Sequence, residues 1–358
     1  MSRGPAVLRS LRIGFMPLVD CAPLVVAVRL GLDRRHGLSL QLQRQASWAA
    51  VRDRLLSGEL DAAHALAGMA YGIDTGIGGP REPMAVLMVL NHNGQAIVLA
   101  PGPAHRLREG ATLREALDIP RRRPRLAQTF PTGTHAMWLY YWLAAQDVDP
   151  LHDVEAVTLP PPEMPAALAR GDLLGYCVGE PWAAQAEAQE IGARVIRSGE
   201  LWPGHPEKVL ACRRAFAALE PEAATALTAT VLEACRWLDE EPGHRTRAAH
   251  WLAEDRAIDL PVEALDKCLL LPEGDQRATR LRFHGDGEVN FPWLSDGRWF
   301  LHQFRRWGWL SPDALGDDAR LAELHRLDSY RLAALQAGVP LPRGDIRRSV
   351  LFDGMRWE

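Results

Sequence analysis

Short apolar runs alternate with longer amphipathic stretches along the first two hundred residues of the chain. The short runs predict strands at 11–16, 38–42, 61–66, 84–90, 96–100, 126–130, 175–178 and 208–212. The longer stretches predict helices at 22–30, 48–57, 132–145 and 181–191. A regular alternation of strand and helix is typical of α/β folds, so we expect layers of helix around parallel sheets.

Two segments rich in proline and glycine interrupt this alternation, at Pro101–Pro103 and Trp202–Pro206. Such segments mark loops, and we expect the chain to pass there between two lobes. Lobe I then comprises residues 1–100 and 203–358, and lobe II comprises 101–202. Beyond Pro221 the apolar spacing becomes mostly helical, which predicts a helical C-terminal region within lobe I.

Length and charge agree with two lobes and exclude several classes of protein. At 358 residues the chain exceeds what one hydrophobic core usually supports. Its formal net charge of −4 argues against a direct nucleic-acid partner. The sequence contains no run of about 18 apolar residues, so it does not predict a segment that spans a membrane. The first twelve residues mix arginine with short apolar pieces and do not resemble an export signal, so a cytoplasmic location is the expectation.

The motifs of the common enzyme classes are missing from the sequence. It contains no GxxxxGK[ST], no strand-linked GxGxxG, no GxSxG and no HExxH. Its five cysteines are widely spread and form no CxxC motif, which favours a reducing compartment over a zinc site. We therefore expect a protein that is not an enzyme and that has no cofactor and no metal.

Two predicted helix starts carry groups suited to a small anion. The unpaired N–H groups at a helix N-terminus attract anions, and Thr132-Gly133-Thr134-His135 offers such a start with a side-chain donor, His135. Trp48 follows Ser47 at another start, where its indole N–H can donate. Taken alone, a capped helix start and a core tryptophan are the simpler explanations of these residues.

Three further residues lie at predicted strand ends. Gln95 follows an Asn-Gly pair before a strand, and Gly179 ends a strand before Glu180-Pro181. Lys208 begins a strand and is one of only two lysines among 41 basic residues. A turn accounts for the first two, and an ordinary surface position accounts for the lysine.

These residues belong to longer strings that together resemble a known family. The strings are Gln45–Leu55, Gly58–His64, Asn91–Ile97, Phe130–Trp138 and Gly297–Gly308. In order and spacing they are similar to the nitrate- and bicarbonate-binding solute receptors of ABC transporters, most of all to the cytoplasmic NasS-type nitrate/nitrite sensors.

The resemblance implies a type II periplasmic-binding-protein fold with the ligand in a cleft between two lobes. It also implies which residues surround nitrate or nitrite, namely Trp48, Gln95, His135, Gly179 and Lys208. Nitrate is planar and singly charged, so neutral donors, one cation and no nearby carboxylate would suit it. Lys208 would supply the cation.

The resemblance to the cytoplasmic branch leads to a functional hypothesis. Such a sensor holds an ANTAR-domain RNA-binding antiterminator and releases it when nitrate or nitrite binds, and lobe closure would be the switch. One alternative is the solute-binding receptor of a nitrate or bicarbonate ABC transporter. A second is an enzyme on the same fold that processes pyrimidine or menaquinone precursors.

Overall fold

The computed structural model describes residues 8–119, 121, 123–270, 279–311 and 317–358. Within these ranges the strands are β1 (Arg9–Phe15), β2 (Leu38–Arg44), β3 (Ala62–Leu66), β4 (Met84–His92), β5 (Gln95–Leu99), β6 (Arg125–Gln128), β7 (Glu155–Thr158), β8 (Gly175–Gly179), β9 (Ala193–Arg197), β10 (Pro206–Arg213), β11 (Ser349–Val350) and β12 (Arg356–Trp357). Strands and helices alternate as the sequence predicts, which confirms the α/β class.

The helices of the first half of the chain mostly lie between successive strands. They are α1 (Ala22–Arg29), α2 (Leu32–Arg35), α3 (Trp48–Leu56), α4 (Ala67–Thr75), α5 (Pro101–Arg108), α6 (Leu113–Ala116), α7 (Thr134–Ala145), α8 (Met164–Ala169), α9 (Trp182–Ala188) and α10 (Ser198–Leu201). The later helices are α11 (Arg214–Leu219), α12 (Pro221–Glu240), α13 (Pro242–Glu254), α14 (Val262–Leu269), α15 (Leu294–Arg306), α16 (Asp317–Leu324) and α17 (Leu327–Ala337). None of the helices in the described ranges has both the length and the apolar character that a membrane span requires.

Two five-stranded sheets form the centre of the molecule. The first has the order β2-β1-β3-β10-β4 and the second has the order β7-β6-β8-β5-β9. Strand β1 runs parallel to β2 and β3, and β6 runs parallel to β7 and β8. Helices α12, α16 and α17 contact β4, so the helical C-terminal region covers the first sheet.

The sheets are mixed, and the expectation of parallel sheets is wrong for one strand in each. In the first sheet β10 runs antiparallel to β3 and β4, and in the second β5 runs antiparallel to β8 and β9. Parallel neighbours need a crossover connection that returns the chain to the same end of one sheet. Strands β5 and β10 instead enter their sheets directly from the other sheet, so no such crossover sets their direction.

The chain passes between the sheets at 93–94 and again at 202–205. These passages lie side by side, because the Asn93 amide donates to the His205 carbonyl (3.2 Å) and the Gly204 amide donates to Asn93 Oδ1 (3.0 Å). The second passage agrees with the sequence. The first lies earlier than expected, since Pro101 begins α5, where proline at the first helical turn loses no hydrogen bond.

Strand β5 therefore belongs to the second sheet, although the predicted boundary at residue 100 placed it in lobe I. The division of the whole chain into lobe I (1–100 and 203–358) and lobe II (101–202) stays a prediction. A buried aromatic cluster joins the two parts of the molecule: Trp138 of α7 stacks on Trp299 of α15 with a centroid separation of 4.7 Å, and Trp202 contacts both.

Candidate functional site

The five residues named from the sequence meet at the facing ends of the two sheets. Gln95 begins β5 and pairs in register with Gly179, the last residue of β8. A Cβ atom placed on Gly179 would lie 3.6 Å from His135 Nε2 and 3.7 Å from Lys208 Nζ. Lys208 Nζ is 5.8 Å from the centroid of the Trp48 ring. Residues from both sheets thus surround one small volume.

Trp48 owes its position to the start of α3. The Ser47 side chain caps this helix by accepting a hydrogen bond from the Ala50 amide at 3.1 Å. The Trp48 ring is fully buried and lies 5.5 Å from the His64 ring. Its Nε1 has no hydrogen-bond partner in the described part of the chain.

His135 is the second residue of α7, directly after the N-cap Gly133 and Thr134. The Thr129 hydroxyl contacts His135 Nδ1, so that Nε2 is left to face Gly179 and Lys208. Burial lowers the pKa of His135 well below its usual value, and the Lys208 ammonium acts in the same direction. The ring is therefore neutral. When Nδ1 accepts a hydrogen bond from the Thr129 hydroxyl, the single ring proton of His135 is on Nε2.

Gln95 is fixed through its backbone, which leaves its side chain available. Its amide donates to Ser198 Oγ at 3.2 Å, and its carbonyl accepts from the same hydroxyl at 3.3 Å. Both polar atoms of the buried side chain, Nε2 and Oε1, lack a partner among the described residues.

Unpartnered polar atoms therefore converge at this place, namely Trp48 Nε1, Gln95 Nε2 and Oε1, and His135 Nε2. A buried polar group without a hydrogen bond costs about 1–3 kcal/mol, and such groups are uncommon in folded proteins. Their convergence indicates a small polar ligand. Three of the four atoms are donors when His135 carries its proton at Nε2, which favours an acceptor such as an oxyanion.

Lys208 is paired with two carboxylates, contrary to the expectation of a lysine without acidic neighbours. Its Nζ lies 2.8 Å from Asp20 Oδ2 and 2.6 Å from Glu207 Oε1, and all three side chains are buried. The physical reason is that a lone ammonium in a protein interior is very costly, whereas pairing with carboxylates offsets much of that cost. Against the effect of burial, Asp20 and Glu207 raise the pKa of Lys208, so it stays charged.

Asp20 and its partner His64 were missed by the sequence analysis. His64 Nε2 lies 2.8 Å from Asp20 Oδ1. Although burial opposes ionisation, Lys208 and His64 hold the pKa of Asp20 below its ordinary value. The available signal was one acidic residue inside an otherwise apolar stretch, 15–27, because an acidic residue is rarely buried without a partner.

Glu207 was also missed, although it adjoins Lys208 in the sequence. Its Oε1 accepts from Thr134 Oγ1 at 2.8 Å, and its Oε2 accepts from Trp138 Nε1 at 3.3 Å. Burial raises the pKa of Glu207 to about 7, against the opposing effect of Lys208. Glu207 therefore changes its charge near neutral pH, whereas Asp20 does not.

No metal site is formed by the His, Cys, Asp and Glu side chains of the described residues. The five cysteines are all unpaired thiols. Burial raises the pKa of the Cys177 thiol, on β8, well above its usual value. The nearby Glu207 also raises this pKa, and Lys208 lowers it. The chemistry of this place is thus hydrogen-bond donation beside one paired cation.

A comparison with protein-family models gives one match, to the model described as the NMT1-like family, over residues 4–253. The match covers more than half of the chain. The chain belongs to the NMT1-like family. Residues 1–7 lie outside the described residues. They include the start of the family match and the first part of the segment on which the expected cytoplasmic location rests.

Relatives of this NMT1-like chain include components of nitrate import systems. The nitrate/nitrite binding protein NrtA of Synechococcus elongatus is 34% identical over 98% of this chain and 84% of its own length. The nitrate import ATP-binding protein NrtC of Synechocystis is also 34% identical over 97% of this chain, which spans only about half (53%) of that longer relative.

A solved structure confirms the expected fold of this NMT1-like protein. The crystal structure of the periplasmic nitrate-binding protein NrtA from Synechocystis matches with a TM-score of 0.90 and 32% identity, covering 98% of this chain and 95% of that one. The two-lobed periplasmic-binding-protein architecture is therefore shown.

The hypothesis of a sensor that sequesters an ANTAR-domain antiterminator is wrong. The relatives that match nearly the whole chain are nitrate/nitrite binding proteins and a nitrate import component. The sensor was preferred to a receptor because the N-terminal residues do not resemble an export signal, whereas the residues suited to an anion fit a sensor and a receptor equally. Such residues carry no information about a macromolecular partner.

Proposed function

We propose that the chain is a solute-binding protein for a small monovalent oxyanion, nitrate or nitrite, and that it serves as the receptor of an ABC-type import system. The observation that carries this proposal is the convergence of unpartnered donors on Trp48, Gln95 and His135 beside the Lys208 ammonium. The relatives named NrtA support the choice of anion and of role.

The donor set suits a planar anion whose charge is spread over its oxygens. The indole N–H, the amide N–H₂ and the imidazole N–H are neutral donors, and Lys208 supplies a charged group within the same volume. Gly179 contributes space, because it has no side chain between His135 and Lys208. A hydrogen bond to a charged partner contributes about 1.5–3 kcal/mol, so a few such bonds account for micromolar affinity.

Bicarbonate is a second candidate ligand, and one specific observation favours it. Gln95 Oε1 is an unpartnered acceptor, and bicarbonate has a hydroxyl that can donate to it, whereas nitrate has no proton. Comparing the two anions therefore tests whether this amide oxygen selects the ligand.

We do not propose an enzyme, because the groups at this site are donors and an ion-paired lysine rather than an activated nucleophile with its base. The cytoplasmic location expected from the N-terminal residues stays a prediction, and it competes with the receptor role, because an import receptor must lie on the outer side of the membrane. Fractionation of cells that make the native protein tests it, and recovery of the protein from the periplasm would contradict it.

The proposed function is tested by titration calorimetry of the full chain with nitrate, nitrite, bicarbonate, sulfate and formate. We expect heat with nitrate and nitrite and none with sulfate, since a second negative charge would face Asp20 and Glu207. If neither nitrate nor nitrite produces heat or a thermal shift, the assignment is wrong.

A matched pair of tryptophan variants links such binding to this place in the fold. Trp48→Phe keeps most of the ring but removes its N–H, and we expect about tenfold weaker nitrate binding, or about 1.4 kcal/mol. Trp307→Phe is the control. The Trp307 indole N–H is also buried without a partner among the described residues, but its ring packs on Tyr140, in the second turn of α7 and not at the proposed site. Equal effects of the two changes would argue against Trp48 as a ligand residue.

A further inference from the structure

The buried charges around Lys208 do not balance. One ammonium faces two carboxyl groups, Asp20 and Glu207, and none of the three side chains is more than 2% exposed. An entering nitrate would add another negative charge to this interior cluster. Since unbalanced charge in a protein interior is costly, removal of one negative charge from the cluster would favour binding of the anion.

Several titratable or polar groups face Glu207 from the elements around it. Lys208 follows Glu207 on β10, and His205, just before this strand, places its Nδ1 3.9 Å from Oε2. From α7 come Thr134, Trp138 and His135, whose Nε2 lies 3.8 Å from Oε1. Asp20 contacts the same Lys208 ammonium, and His64 contacts Asp20 in turn. Cys177, on β8, is close enough to Glu207 for the carboxylate to affect its pKa.

Among these groups Glu207 is the one suited to accept a proton at neutral pH. Asp20 is held ionised by Lys208 and His64. Burial lowers the pKa values of His64, His135 and His205 below the usual range, so they are neutral.

We propose that Glu207 takes up one proton from solvent when a monovalent anion binds beside Lys208, and that this exchange makes the site selective for a single negative charge. The inference rests on the proposed function, because it takes the ligand to be the anion named there. One charge enters and one carboxylate charge is removed, so the total charge of the cluster is unchanged. A divalent anion would leave one charge in excess.

The surroundings of Glu207 accommodate both of its states. As a carboxylate it accepts from Lys208, Thr134 and Trp138. As a neutral acid it needs one acceptor for its O–H, and the Thr134 hydroxyl can rotate to provide it. The change therefore requires no movement of the backbone.

The direction of the pH dependence follows from the charges. A nearby anion disfavours the ionised carboxylate, so binding raises the pKa of Glu207 further above its value of about 7 in the free protein. Proton uptake is then largest on the alkaline side of that value. Nitrate affinity should fall by up to about tenfold for each pH unit above about 7 and should be nearly constant just below it.

The experiment is calorimetry of the full-length protein with nitrate, which does not itself take up a proton in this range. Titrations at about pH 8 in two buffers of different ionisation enthalpy give the number of protons bound per nitrate. We expect close to one proton for the wild type and none for Glu207→Gln, which keeps an acceptor for Lys208. Glu222→Gln, at an exposed position in the first turn of α12, is the control and should retain the uptake.

The outcomes separate this inference from the function on which it rests. Absence of nitrate heat in every buffer contradicts the proposed function. Nitrate heat that is identical in both buffers contradicts the role of Glu207 and leaves the function standing, and this comparison needs only the wild type if the variant does not fold. Uptake that persists in Glu207→Gln, or that occurs only below about pH 6.5 as expected for histidine, also overturns the inference.

Discussion

Gly179 contributes to the site through the side chain that it lacks. A Cβ at this position would lie 3.6 Å from His135 Nε2, 3.7 Å from Lys208 Nζ and 3.3 Å from a methyl group of Leu18. The backbone of Gly179 is not in the left-handed region, so alanine is compatible with its conformation. A glycine is thus needed here because a side chain would fill the space between the donors, and not because of the backbone conformation.

Gly179→Ala should therefore weaken nitrate binding by about tenfold or more while changing the thermal midpoint little, since the methyl group occupies part of the ligand volume. Calorimetry and a thermal melt of the same preparation measure the two effects. Gly243→Ala, where a Cβ would meet nothing within 4 Å, is the matched control. A large loss of stability with unchanged affinity would contradict this account.

At the scale of single residues, the sequence predicted the neutral donors better than the charges. Trp48, Gln95 and His135 lie in strings that could be matched to a family, and the structure brings them together. Asp20 and Glu207 could not be placed in the same way. An acidic residue in an apolar run indicates a buried partner without saying which cation, on which distant strand, that partner is.

At the scale of elements, helix starts determine where the donors lie. Trp48 is the first residue of α3 and His135 is the second residue of α7, so the orientation of each first turn orients a donor of the proposed site. For α3 that turn is held by Ser47, whose hydroxyl accepts from the Ala50 amide. A change in this cap should therefore be felt in binding as well as in stability.

Ser47→Ala should lower the free energy of unfolding by about 1 kcal/mol, the usual contribution of an N-cap, and should also weaken nitrate binding because Trp48 loses its fixed orientation. Urea denaturation and calorimetry measure the two quantities. Thr112→Ala removes the cap of α6 and is the matched control. It should cost similar stability and leave affinity unchanged; an equal loss of affinity in both variants would refute a local role for Ser47.

Element boundaries were predictable where periodicity and caps agree, as for α1, β2 and α3. The first passage between the sheets was not. Pro101-Gly102-Pro103 has the composition of a loop, yet proline is equally suited to the first turn of a helix, which is what it begins. Asn93-Gly94 marks the break between β4 and β5, but this pair does not determine which sheet the next strand joins.

At the scale of the whole molecule, the proposed ligand would connect the two sheets. Trp48 and Lys208 belong to the first sheet and its helices, whereas Gln95, His135 and Gly179 belong to the second. Direct contacts across the site already exist: the Val19 amide donates to the Glu180 carbonyl at 3.0 Å, and Trp182 Nε1 donates to the Pro17 carbonyl at 3.0 Å. A bound anion would add bonds to both sides at once.

Nitrate at a hundred times its dissociation constant should therefore stabilise the protein by about 2.7 kcal/mol, the amount that mass action gives for a ligand of the folded state alone. Because the proposed site takes residues from both sheets, hydrogen exchange should slow on both, and the Val19 amide, which bridges them, should be among the protected groups. Sulfate at the same ionic strength is the control. Protection confined to one sheet would mean that the anion binds to one lobe only. The donors on the unprotected sheet would then not belong to the site.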